Sequence, residues 1–134
     1  MQKNSQPLKL LLVDDEIGYV EILSKRMSKH GIKATAAFSG AEAIRAMRGE
    51  CFDAAVLDLK MEDMDGIEVL KILRKMDSRM PVIMLTGHGS ERAARDGIKY
   101  GAIDYLTKPC DFEELVSKIK AVAIGCSQDD IDGK

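Results

Sequence analysis

Five short apolar runs punctuate the chain, at residues 8–13, 32–38, 52–57, 81–85 and 103–106. A stretch of helical length follows each one. The first run is apolar except for Lys9, the third stops abruptly at Asp58, and the fourth opens on Pro81, which suits the first position of a strand. Runs of this length bounded by turn residues read as strands buried on both faces. The second run, small and only partly β-branched, is the weaker strand. Between the runs, apolar side chains recur at helical spacing. Val20, Leu23 and Met27 mark the first helix (residues 17–30), and Ile44 and Met47 the second (39–48). Ile67, Leu70 and Leu73 mark the third. Ala93, Ala94 and Ile98 give the fourth (90–100) a thin apolar face with Gly97 in its middle. Phe112, Leu115, Val116, Ile119 and Val122 mark the fifth. Ser39 and Asp111 stand where helices need N-caps, and Gly31, Gly49 and Gly125 where they stop.

Strict strand–helix alternation implies parallel strands joined by right-handed crossovers, with helices on both faces. The expected fold class is therefore α/β: a three-layer, doubly wound, five-stranded parallel sheet, flavodoxin-like (βα)5, with 2-1-3-4-5 as the favoured order. One domain is expected over residues 8–125, between a flexible leader at 1–7 and a disordered, mostly acidic tail at 126–134. A chain of 134 residues has room for one proper core.

Composition narrows the function classes. A net charge of −2 gives no electrostatic case for direct contact with nucleic acid or an anionic membrane. No run reaches membrane-spanning length, and the polar N-terminus lacks a signal-peptide core. Cys51, Cys110 and Cys126 are odd in number and without CxxC spacing, which argues against a disulfide framework or zinc site and for a cytoplasmic protein.

The chemistry gathers at the carboxyl ends of the runs. Run one ends in Asp14 and Asp15, run three in Asp58, run four in Thr86, and run five is followed by Lys108. Parallel strands put all of these on one sheet edge, and the favoured order makes strands one and three neighbours at the switch point, where a crevice opens. Three carboxylates crowded there need an offsetting cation, and oxygen-only ligands select a hard ion such as Mg2+. A cation, a lysine and a hydroxyl around a carboxylate are equipment for phosphoryl transfer, with the carboxylate itself as nucleophile. Taken singly, each residue has a plainer reading: Asp14 and Asp15 as helix caps, Thr86 as a β-branched strand residue, Lys108 as a solvated turn residue.

Leu12-Val13-Asp14-Asp15-Glu16, Leu57-Asp58-Leu59-Lys60-Met61 with Asp65-Gly66, Leu85-Thr86-Gly87-His88-Gly89 and Tyr105-Leu106-Thr107-Lys108-Pro109, in this order, resemble the receiver domain of bacterial two-component response regulators. The resemblance covers residues 8–124. It implies that Asp58 is the phosphoacceptor, supplied by a sensor histidine kinase or a histidine phosphotransfer protein. It implies Mg2+ held by Asp14, Asp15, Asp58 and the backbone carbonyl of Lys60. Thr86 and Lys108 would stabilise the phosphoryl group, Tyr105 would be the aromatic switch, and Lys108-Pro109 a cis peptide. The fourth helix, fifth strand and fifth helix would form the switched surface, acting on a downstream protein or an output domain absent from this sequence, or forming a phosphorylation-dependent homodimer. Glu62 stands where many receivers carry proline, and Lys60 and His88 stand where the family controls access of water to the phosphoryl group. Such a domain signals, catalysing only its own phosphorylation and dephosphorylation. Two rivals remain. An aspartate-nucleophile phosphatase would carry Asp-x-Asp, and Lys60 occupies the position of its second acid. A degenerate receiver would act only as an interaction module.

Overall fold

The computed structural model describes residues 6–61, 63–87 and 91–125. Glu62, His88, Cys126, most of the expected leader and the expected tail lie outside the described residues. The elements alternate as β1 (Leu8–Val13), α1 (Ile17–Ser28), β2 (Ile32–Ala37), α2 (Gly40–Gly49), β3 (Ala54–Asp58), α3 (Gly66–Met76), β4 (Val82–Thr86), α4 (Glu91–Lys99), β5 (Asp104–Thr107) and α5 (Phe112–Val122). The strands form one parallel sheet in the order β2-β1-β3-β4-β5. Both the fold class and the order match the expectation.

The pleat of β1 explains the three layers. Leu10 and Leu12 point to one face, where they meet Val20, Leu23 and Met27 of α1 and Leu115 and Ile119 of α5. Leu11 and Val13 point to the other, into a core with Ala43 and Met47 of α2, Val69, Leu70 and Leu73 of α3, and Ala94 of α4. Every residue of β3 and β4 is buried, as strands covered on both faces must be. Each fully buried leucine in these layers contributes roughly 1.5–3 kcal/mol relative to exposure.

Caps set the helix starts. Ser39 Oγ accepts from the Glu42 N–H and caps α2, while Glu42 Oε1 accepts from the Phe38 N–H just ahead of the cap. Asp111 accepts from the Glu114 N–H at the start of α5. Gly31, just beyond α1, has φ +79°, the left-handed region that glycine enters freely.

Four details differ from the sequence expectation. Ile98 is exposed, and α4 instead packs through Ala94 and Gly97. Gly97 is inward because Met84 of β4 fills the space a Cβ would need. Ile103 precedes β5 and is exposed. Ala43, not Ile44, is fully buried in α2. Cys51 takes part in a disulfide, against the expectation of unpaired thiols, whereas Cys110 is free. Among the described residues no helix is long and apolar enough to cross a membrane.

Candidate functional site

Register decides what meets at the carboxyl edge. Leu12 pairs with Val56 and Val13 with Leu57, so the next residues along, Asp14 and Asp58, end adjacent strands side by side. Leu85 lies opposite Asp58, and Thr86 opposite Thr107. The Lys108 N–H donates to the Thr86 carbonyl at 2.6 Å, fixing the ends of β4 and β5 together. The Lys108-Pro109 peptide is cis.

Three carboxylates converge as a result. Asp14, Asp15 and Asp58 each offer an oxygen within 4.8 Å of the others. Asp14 and Asp58 are buried, as is Thr86. The Lys108 ammonium reaches across the edge, 2.8 Å from Asp14 Oδ2, 3.1 Å from Glu16 Oε1 and 3.4 Å from Asp58 Oδ2. Asp14 Oδ1 also accepts from the Glu16 N–H at 3.0 Å, a turn ahead of α1; the N-cap itself is Glu16 and no side chain caps the helix, so Asp14 joins the cluster and does not cap α1. Asp58 Oδ1 accepts from the Lys60 N–H at 3.1 Å, which begins the loop after β3.

Electrostatics follow from this crowding. Burial pushes the Asp58 carboxyl above the usual carboxylate range; the Lys60 N–H opposes this, and the Asp14 charge adds to the rise. Burial works against the charge on Lys108, but Asp14, Asp58 and Glu16 outweigh it and hold the ammonium well above its ordinary range. The cluster therefore has more negative charge than its lysine neutralises, and its donors are all oxygens. That set suits a small hard cation.

Thr86 Oγ1 donates to the Leu106 carbonyl at 3.5 Å, the outer limit of a hydrogen bond, so its hydroxyl is weakly committed. Tyr105 is half-buried, packed against the core cluster that contains Met84, Ala94 and Ala102. The Lys60 side chain is exposed.

Three residues of the site carry no role that the sequence alone assigns. Glu16 is a third carboxylate on Lys108. The Tyr19 ring lies 4.8 Å from the Lys108 ammonium, a cation–π contact. Its hydroxyl shares a hydrogen bond with the Cys110 thiol; burial first, then Cys110, pushes it up to about 12. Glu16, Tyr19, Lys108, Pro109 and Cys110 line a cavity of about 310 Å³ beside the cluster. Helical spacing could have put Tyr19 one turn beyond Asp15. Nothing local marks its contact with Lys108, which depends on a turn about ninety residues away in the chain.

The family model described as the response regulator receiver domain matches residues 10–120. The chain belongs to that family. The transcriptional regulatory protein GlrR of Escherichia coli K12 is 39% identical over 114 residues, which are 85% of this chain and 26% of that protein. A CpxR homolog from Haemophilus influenzae is 40% identical over 114 residues, 85% of this chain and 49% of that protein. The chain thus spans a quarter to a half of the length of these relatives. Among solved structures, the receiver domain of the Francisella response regulator 1452 superposes with TM-score 0.79 at 36% identity, covering 86% of this chain and 95% of that one. A CheY-like receiver domain protein from Methanospirillum hungatei gives TM-score 0.82 at 29% identity, covering 86% and 92%. The protein is a receiver domain of the two-component type, a signalling domain whose family binds Mg2+ in an acidic pocket, and Asp14, Asp15 and Asp58 form such a pocket here.

Proposed function

We propose that Asp58 is the phosphoacceptor of this receiver. One observation carries the assignment: a single ammonium, that of Lys108, is drawn between Asp14, Glu16 and Asp58 at the carboxyl edge of the sheet. Asp58 is the member of the cluster that ends the central strand β3, with Thr86 ending the adjoining β4 and Lys108 just past β5. The donor is a phosphohistidine on a sensor histidine kinase or a phosphotransfer protein. An Asp58 carboxylate oxygen attacks phosphorus as the N–P bond breaks, and the imidazole, protonated on its other ring nitrogen, takes the bonding pair and leaves as the neutral base. Asp14, Asp15, Asp58 and the Lys60 carbonyl would hold Mg2+, which neutralises charge on the transferring phosphoryl oxygens. Thr86 donates its weakly held hydroxyl to one phosphoryl oxygen, and Lys108 moves its ammonium from Asp14 toward another. The domain catalyses its own phosphorylation and dephosphorylation and no other turnover. Lys60 two residues after Asp58 leaves the phosphatase alternative without its second acid.

Movement of Thr86 draws Tyr105 inward and shifts α4. That helix packs on the core through small residues, Ala93, Ala94 and Gly97, so it moves at the least cost. Ile98, Tyr100 and Ile103 are exposed large apolar side chains on or beside α4 and β5, which supports the α4–β5–α5 face as the output surface. That surface contacts a downstream protein, an output domain or a second phosphorylated copy. The cysteine argument for a cytoplasmic location is lost with the Cys51 disulfide; what supports that location is the likeness to transcriptional regulators. Incubation with a small phosphodonor and Mg2+ should label the wild-type chain and not Asp58→Asn. Equal labelling of both would overturn the assignment.

A further inference from the structure

The loop between β3 and α3 begins at the phosphoacceptor and is fixed at its base. The Lys60 N–H donates to Asp58 Oδ1, the Gly66 N–H donates to the Leu59 carbonyl at 3.2 Å, and Lys60 and Asp65 form an antiparallel bridge. Its tip is fixed to a different element. Asp63 Oδ1 accepts from the Gly40 N–H at 3.0 Å, and Oδ2 from the Ala41 N–H at 3.2 Å, joining residues more than twenty positions apart at the first turn of α2. Beside this contact Met64 packs so closely on Gly40 that a Cβ there would lie 2.7 Å from the Met64 sulfur.

Helix α2 does not depend on Asp63 for its cap, because the Ser39 hydroxyl already accepts from the Glu42 N–H. The two hydrogen bonds from Asp63 take N–H groups that solvent could otherwise satisfy. Their structural consequence falls on the loop. The Gly40 and then the Ala41 N–H hold the Asp63 carboxyl below the usual carboxylate range, and it is ionised at neutral pH.

We propose that Asp63 is a positioning residue: by latching the β3–α3 loop to the first turn of α2, it holds the Lys60 carbonyl where a divalent cation at Asp14, Asp15 and Asp58 requires it. This rests on the reading of that cluster as the cation site. The test is calorimetric titration with MgCl2 of the wild-type chain and of Asp63→Ala, Asp63→Asn and Ser39→Ala, with Tm measured for each. Asp63→Ala should weaken Mg2+ binding roughly three- to tenfold, the range for losing charge-assisted hydrogen bonds. Asp63→Asn keeps one acceptor oxygen and puts an NH2 donor in place of the other, so it should weaken binding less than Asp63→Ala does. Ser39→Ala removes the helix's own cap and should lower Tm with Mg2+ affinity unchanged. Unaltered affinity in Asp63→Ala would overturn the proposal. So would equal losses in Asp63→Ala and Asp63→Asn, which mark a through-space charge effect, or a matching loss in Ser39→Ala, which marks general helix fraying. A wild-type chain that binds no Mg2+ would instead remove the cation-site reading, and the latch's role with it.

Discussion

The Lys108 ammonium lies nearer to Asp14, at 2.8 Å, than to Asp58, at 3.4 Å. In this state the lysine is committed chiefly to a carboxylate other than the one assigned as phosphoacceptor. It occupies oxygens that a bound metal ion would also take, and on the proposed reading it would change partners when a phosphoryl group arrives.

That competition gives the first prediction. Lys108→Ala removes the cation that occupies the cluster, so Mg2+ should bind roughly three- to tenfold more tightly. The metal-free variant should be less stable by about 1–2 kcal/mol, because buried Asp14 loses its charge partner. Titration calorimetry and urea unfolding with and without Mg2+ measure the two effects. Weaker Mg2+ binding in Lys108→Ala would show that the lysine organises the cluster for metal and does not compete with it.

The second prediction concerns Asp58 itself. Burial, with the Asp14 charge, raises its carboxyl above the unfolded value, so near that range the folded chain binds more protons than the unfolded one. Stability is therefore lost as pH rises from the unfolded carboxylate pKa through the folded one, and it stays lost above it. Asp58→Asn cannot ionise and escapes this loss. Without metal it should be the more stable protein at pH 7, by about 3 °C in Tm for each ~1 kcal/mol recovered in a chain of this size. The difference should vanish as pH falls below about 4 and should shrink or reverse in saturating Mg2+. Thermal melts of both proteins across pH, with and without MgCl2, check it; an Asn variant that melts lower than wild type at pH 7 without metal would contradict it.

Much of the site is legible in the sequence because periodicity places residues on a fold. Apolar runs that form parallel strands oblige Asp14, Asp58, Thr86 and Lys108 to share an edge, and the register then sets Asp14 beside Asp58. What stays hidden depends on side-chain reach. Tyr19 meets Lys108 only because α1 and the turn after β5 border the same cavity. Asp63 binds the first turn of a helix that starts more than twenty residues earlier, where no local pattern joins the two. Ile98 completes an apolar spacing with Ala94, which predicts an inward side chain. Close approach of β4 and α4 instead selects Gly97 for that contact, and spacing carries no measure of distance between elements.

The last prediction separates two glycines by what surrounds them. A Cβ on Gly66 would lie 2.5 Å from the Leu59 Cα and from its carbonyl oxygen. These are backbone atoms directly after the phosphoacceptor, and they cannot swing aside as a side-chain end could. Gly66→Ala should destabilise the protein by about 1–3 kcal/mol, the range for forced overpacking. Because the displaced backbone leads into Lys60, it should also slow labelling by a small phosphodonor. Gly18 lies in α1, and a Cβ added to it would meet nothing within 4 Å. There alanine adds no contact and removes backbone freedom from the unfolded chain, so Gly18→Ala should stabilise by about 0.5–1 kcal/mol and leave labelling unchanged. Urea unfolding and phosphodonor labelling of the two variants side by side provide the measurement. A Gly66→Ala protein as stable as wild type would mean that the loop after β3 can yield at its base, and that its geometry is held by the Asp63 latch alone.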